Sequence, residues 1–330
     1  MEVLKTALPY IISGISVGGQ YALIAIGYTM VYGILRLINF AHGDVFMVAG
    51  LMMVYFATWM PLYLAIPLMI MLTVLLGFLI ERVAYKPLRT APRMSVMISA
   101  IGVSYLIQNL ALYVTGGLNK NYPAIPWISD PVRLFGMETS RVTVITPFLT
   151  IALVIALVLL INHTKIGMAM RAVSVDFETA QLMGINLAKH KMISFVVSSF
   201  FAGVSGATMA MVLSIAQANN YKVAMTYEIL LMVVLGGIGS ISGSVIGSML
   251  FVAASEWWLR GLDSGEFLGI KAPEVFRNGF RLVVFSIVIM VVVLFFRKGI
   301  MGDRELPQVI AVWKAKLRAK KAAKQEVTSK

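Results

Sequence analysis

The feature that most constrains this chain is a recurring apolar run of about twenty residues, bounded each time by a short charged or Gly/Pro-containing stretch. An α-helix rises about 1.5 Å per residue, so roughly twenty residues cross the roughly 30 Å hydrocarbon layer of a bilayer. Candidate spans lie at 8–35, 44–60, 62–80, 95–115, 142–161, 192–213, a glycine-broken region 226–258, and 279–296. Backbone groups have no water to bond inside lipid, so such spans are helices, each satisfying its own hydrogen bonds. The predicted fold class is all-α: a polytopic transmembrane bundle of about eight to nine membrane segments, with 226–258 as a broken pair.

Composition agrees. Of the residues, 59% are hydrophobic and 13% charged, against about a quarter charged in soluble domains. So few charges cannot cover a soluble surface of this size. The net charge is +13, and residues 297–330 alone hold ten basic and three acidic side chains, a surplus of +7. These basic residues flank apolar spans, which points to the cytoplasmic side of a membrane and not to nucleic acid. The chain has no cysteine, which excludes disulfides, thiolate metal sites and a Cys nucleophile. The apolar stretch after Lys5 is longer than a signal-peptide core and lacks a small-residue cleavage site, so it reads as a retained span. The organisation expected is one transmembrane domain, 1–302, and a basic cytoplasmic tail, 303–330.

Loop charge sets the orientation. The 81–93 loop carries Arg82, Lys86, Arg89 and Arg93 against Glu81, and the 163–191 loop carries Lys165, Arg171, Lys189 and Lys191. Both are placed in the cytoplasm, with the N-terminus outside. The 116–141 loop, nearly balanced and containing Pro123, Pro126 and Trp127, is placed at the outer face. For the weakly charged 259–278 loop to lie outside and the tail inside, 226–258 must cross twice or form a re-entrant pair. The string Gly236-Gly237-Ile238-Gly239-Ser240-Ile241-Ser242-Gly243 supplies the break. Irregular backbone is tolerated at membrane depth only where protein covers it or it lines a cavity.

Three motifs stand out. In Asn39-Phe40-Ala41-His42-Gly43-Asp44, Asp44 suits a helix cap, and Asn39 and Gly43 suit a turn. Alternatively Asn39, His42 and Asp44 form a polar mouth to a pathway, since ionisable groups at membrane depth usually mark function. No metal site is expected, because no second carboxylate lies at ligand spacing. In Asp176-Phe177-Glu178-Thr179-Ala180-Gln181-Leu182-Met183-Gly184, the acidic residues open a short helix and Gly184 suits its end. That helix is either a plain connector or a projection that docks in a groove of a cytoplasmic partner. The glycine string, with Gly236, Gly237, Gly239 and Gly243 as hinge candidates, is no phosphate loop, because no Gly-Lys-Ser/Thr follows it. Further polar candidates for the pathway are Gln20, Gln108, Asn109 and Glu228, whose plain reading is interhelical hydrogen bonding or interfacial placement. Ser16-Val17-Gly18-Gly19-Gln20 looks like an ATPase signature but lies inside an apolar span, where helix packing explains it.

From about Leu8 to Gly302 the chain resembles the LivH-type integral membrane permease of bacterial branched-chain amino acid ABC importers. Three stretches carry the resemblance. Leu37 to Asp44 is similar to the family's motif after the first span. Glu178-Thr179-Ala180 with Gly184 resembles the Glu-Ala-Ala…Gly coupling motif, and Leu235 to Ile241 with Gly243 resembles the late glycine motif. Thr179 replaces an alanine, Ser242 stands where many relatives have proline, and Arg297-Lys298-Gly299-Ile300-Met301-Gly302 resembles the family's closing Arg-Pro-x-Gly-Leu-x-Gly with Lys298 in place of proline.

The resemblance implies a transport subunit, not an enzyme, that binds no cofactor itself, ATP being held by partner subunits. The implied partners are a second homologous permease, two cytoplasmic ABC ATPase subunits and a periplasmic amino-acid-binding protein, all around a chain set in the lipid bilayer. It also implies that Asp176, Glu178, Ala180 and Gly184 couple the chain to the ATPase. A stand-alone secondary transporter, or a channel for small amides such as urea, is the alternative. A membrane enzyme built on His42 and Asp44 lacks a complete catalytic set.

Overall fold

The computed structural model describes residues 2–35, 38–88, 91–123, 125, 130–134, 137–216, 223–237, 239–255, 266–267, 270–271 and parts of 283–302. The 303–330 tail, Trp127 and much of the 279–296 span lie outside the described residues.

The elements follow the apolar runs. Helix α1 is Glu2–Leu35, α2 His42–Trp59 and α3 Leu62–Ile80, the last continued by a π-helical turn Glu81–Tyr85. Helix α4 is Arg93–Thr115, ended by Gly116 in the left-handed region at φ +65°. Helix α5 is Arg141–His163, α6 Lys165–Val175 and α7 Phe177–Leu182. Helix α8 is Leu187–Leu213, α9 Val223–Gly236 and α10 Ile241–Val252. The short strands β1 (Lys120–Asn121), β2 (Pro131–Leu134), β3 (Met137–Ser140) and β4 (Ile215–Ala216) lie in the connections. Strand β1 pairs with β4 and β2 with β3, both antiparallel. A last small antiparallel pair is β5 (Glu266–Phe267) with β6 (Ile270–Lys271).

Helices α1 and α8 form the centre. Helix α1 packs on α8, α10, α5 and α9, while α8 also packs on α2 and α3. Small side chains let these backbones approach, which in lipid supplies van der Waals contact where no hydrophobic drive exists. A Cβ on Gly206 of α8 would lie 2.3 Å from the carbonyl oxygen of Phe46 on α2. One on Gly18 of α1 would lie 2.7 Å from Met249 Sδ on α10, and one on Gly19 would lie 2.9 Å from Thr150 Oγ1 on α5. The glycines of the ATPase-like pentapeptide are therefore packing residues within this chain.

The outer helices are apolar on their exposed sides: Leu64, Met71 and Leu75 on α3, Ile98, Leu106 and Leu110 on α4, Phe148, Ile151 and Ile155 on α5. Meanwhile Ser194, Ser198, Ser205, Ser244 and Ser248 are buried. Apolar outside with hydroxyls inside is the arrangement of a bundle in lipid.

Five described helices are long and apolar enough to cross a membrane, and α9 with α10 forms a pair bent by 119° at its break. At 14 and 12 residues neither half spans alone as a regular helix. The helix boundaries refine the sequence reading: α2 begins at His42, before Asp44, and α8 begins at Leu187, before the basic Lys189-His190-Lys191 cluster. Asn186 makes the earlier start of α8, its Oδ1 accepting from Lys189 N at 3.1 Å as an N-cap.

The helix ends gather in two groups. Asn39 and Tyr85 are hydrogen-bonded, and residues 300–301 bond to Leu235 and Gly236. The α6–α7 segment packs with Ile34, Leu35 and Ile241 in one core cluster, so it joins the same end. At the other end, β1 joins β4, and Lys120 sits over the Tyr55 ring near the close of α2.

Candidate functional site

The segment leading into α2 is built on backbone needs. Asn39 Oδ1 accepts from Ala41 N at 3.2 Å and from the Tyr85 hydroxyl at 3.0 Å. This turn delivers His42 into the bundle. The His42 ring is buried, edge-on to Tyr28 with centroids 5.8 Å apart. Its Nε2 lies 3.0 Å from the Ile24 carbonyl oxygen and its Nδ1 3.2 Å from Ser198 Oγ. A carbonyl only accepts, so Nε2 carries the proton and Nδ1 accepts from the serine hydroxyl. Both ring nitrogens are thus committed, and His42 staples α2 to α1 and α8.

Asp44 does not cap α2. The N-cap is Ala41, with no side-chain bond, and Asp44 sits within the first turn. There its charge complements the positive helix end. Its side chain is fully buried and turns to α4, where Gln108 Nε2 donates to Oδ1 at 2.8 Å. The same amide reaches Ser104 Oγ at 3.1 Å, one helical turn away. Asp44 Oδ2 is buried with no hydrogen-bond partner.

Asp44 and Gln108, 64 positions apart, are therefore brought together. The other pathway candidates are not joined to them. Gln20 is buried on α1 with both amide atoms unpartnered, and its backbone carbonyl accepts from Ser205 Oγ at 2.7 Å. Asn109 is exposed on α4 and donates to the Tyr105 carbonyl at 2.7 Å. Glu228 is half-buried on α9. Sequence reasoning missed Tyr85, Ser104 and Ser198. Only Ser104 had a local signal, its i, i+4 spacing to Gln108.

A second site is the elbow made by α6 and α7. Thr164 caps α6 by accepting from Gly167 N at 3.0 Å. Gly167 itself is obligatory, since a Cβ there would lie 2.3 Å from the Ile161 carbonyl oxygen. Asp176 caps α7, Oδ1 accepting from Glu178 N at 2.9 Å and Thr179 N at 3.2 Å, while the Thr179 hydroxyl donates to Oδ2 at 2.6 Å.

The far end of α7 is a Schellman motif: Ile185 N donates to Ala180 O at 3.1 Å and Gly184 N to Gln181 O at 3.0 Å. It requires the left-handed φ of +79° at Gly184, which glycine adopts without strain. Ala180 is buried in one core cluster with Met170, Val173 and Leu157, and Lys191 Nζ lies 5.2 Å from the Phe177 ring centroid. Glu178 is exposed, and beyond it Leu182 and Met183 project at 87% and 78% exposure. The segment is a rigidly anchored elbow with an apolar tip.

The glycine string is a tight turn between α9 and α10. Gly237 and Gly239 take φ of +121° and +98°, and Ser240 caps α10 by accepting from Gly243 N at 3.0 Å. A Cβ on Gly236 would lie 2.0 Å from the Gly243 carbonyl oxygen, so the two backbones touch at this point.

Comparison with known proteins bears on both sites. Residues 10–296 match the family described as "Branched-chain amino acid transport system / permease component". The permease protein LivH of the high-affinity branched-chain amino acid transport system of Salmonella typhimurium is 32% identical over 316 residues, 92% of this chain and 97% of the relative. LivH of Escherichia coli K12 matches at the same identity and coverage. BraD of Pseudomonas aeruginosa, also a permease protein of such a system, is 31% identical over 92% of this chain and 98% of its own length. No solved structure matches. With a family match over nearly its whole length and relatives of almost equal extent, the chain is a multi-pass membrane protein that belongs to the family of branched-chain amino acid transport system permease components.

Proposed function

We propose that this chain is the membrane-spanning permease subunit of an ABC importer for branched-chain amino acids. In this reading it pairs with a second permease subunit, two cytoplasmic ATPase subunits drive it, and a periplasmic binding protein delivers substrate. The match to the permease family over residues 10–296 carries the reading, and the names of the relatives suggest the substrate class.

The elbow supports the division of labour. A two-sided machine needs a contact whose free energy differs between its states. Leu182 and Met183 offer apolar surface of the kind that fills a partner's groove, on a helix held by Asp176, Ala180 and Gly184. The elbow reaches the centre of the bundle through α6, which packs on α1, and through α7, which packs on α8 with Lys191 over the Phe177 ring. The end that carries the elbow is then cytoplasmic, and the N-terminus of α1 lies outside.

Affinity purification of the tagged chain from its native membrane, with mass spectrometry, tests this. ATPase subunits and a second permease are expected in the complex, and a chain that purifies without any ATPase would refute the reading.

A further inference from the structure

We propose that the Asp44 carboxylate is the receptor for the substrate's ammonium group, and that the Gln108 amide holds its place until substrate arrives. The inference rests on the importer reading above and assigns a residue to the amino group that every amino-acid substrate carries.

Asp44 is wholly buried at membrane depth, yet only one of its oxygens is satisfied. Charged groups are not buried without compensation unless something else retains them. No cationic side chain among the described residues forms an ion pair with it; its hydrogen-bond partner is Gln108, whose amide also reaches Ser104. The neighbouring His42 is unavailable, since both its nitrogens are engaged with Ile24 and Ser198. Nor is Asp44 needed to cap α2. What the site lacks is a compact cation with several donors, which describes an ammonium group.

The surroundings indicate the approach. Gln108 is half-buried, so one side chain separates Asp44 from the outer side of α4. That side is mainly apolar, with Ile98, Leu106 and Leu110 exposed, but Tyr105, Asn109 and Tyr113 are exposed along it as well. The Asn109 amide, which donates to the Tyr105 carbonyl at 2.7 Å, is a group that a polar path suits better than lipid. Inward of Gln108, the α4 residues turned to the bundle are Ala100, Ser104, Ile107 and Ala111, so Ser104 and the two small alanines share this face with one bulky side chain. Swinging the Gln108 side chain aside frees Oδ1, so that both carboxylate oxygens face an arriving ammonium while Ser104 Oγ remains as an acceptor beside it.

The test is uptake of radiolabelled leucine by the complete importer in proteoliposomes, comparing wild type with Asp44→Asn and Asp44→Glu at equal amounts of assembled complex. Charge-assisted hydrogen bonds support an expected loss of at least about tenfold in Asp44→Asn. Most of the uptake is expected to return in Asp44→Glu, which keeps the charge. Uptake by Asp44→Asn above half of wild type would overturn the proposal. So would equal impairment of both variants, or loss of the assembled complex in both, either of which makes Asp44 a structural group. A wild-type complex that imports no amino acid would instead overturn the underlying importer reading, and this inference with it.

Discussion

Gln108 donates its side-chain amide to Asp44 across 2.8 Å and thereby ties α4 to α2 inside the bundle. Few other polar bonds hold α4 to its neighbours among the described residues. Replacing Gln108 by Leu removes the donor and strands the buried carboxyl. Hydrogen bonds to charged groups contribute about 1.5–3 kcal/mol, so the detergent-solubilised variant should unfold at a clearly lower temperature. An unchanged Tm would show that this bond does not hold α4.

His42 makes a similar staple with a different chemistry. Ser198→Ala removes the hydroxyl that serves His42 Nδ1 and leaves a buried acceptor unsatisfied. The expected cost is about 1–3 kcal/mol, read as a lower thermal unfolding midpoint with the helix content of the folded state retained. Ser198→Thr keeps the hydroxyl and should recover much of it.

These two staples show what the sequence could and could not disclose. The spans were legible because apolar runs of bilayer length have few other uses. The break at Gly236 to Gly243 was legible from glycine density, and α9 and α10 do meet there. The elbow was legible from Asp176 and Gly184, whose capping roles are local. The pairing of Asp44 with Gln108 was not, because it joins residues 64 apart on helices whose rotation no local signal sets. Asp44 looked like a cap since it stands at a helix start. The turn made by Asn39 places that start two residues earlier, and a side chain within the first turn is free to face a neighbouring helix.

The elbow separates folding from coupling. Gly184→Ala forces an L-residue into the left-handed region, at a cost of about 1–2 kcal/mol, and should loosen α7 enough to weaken partner binding. Leu182→Asp and Met183→Asp alter exposed side chains, so stability should move by no more than about 0.5 kcal/mol. Co-purification with ATPase subunits should nevertheless fall sharply in the double variant. Full retention of the ATPase there would exclude the tip as the docking contact.

Orientation is open to labelling, since the chain has no native cysteine. Single cysteines at Leu118 and Met183, both exposed and at opposite ends of the bundle, should react with a membrane-impermeant maleimide from opposite sides. Labelling of Leu118→Cys from the periplasm and of Met183→Cys only after permeabilisation is expected. The reverse pattern would invert the topology and remove the elbow from any cytoplasmic partner.

The most direct measurement is transport itself: leucine uptake by proteoliposomes holding this chain with its co-purified subunits, supplied with binding protein and with ATP on the ATPase side. Accumulation of leucine against its gradient is expected only when ATP and binding protein are both present. Uptake by the chain alone, or transport indifferent to ATP, would contradict a permease subunit that borrows its energy from partners.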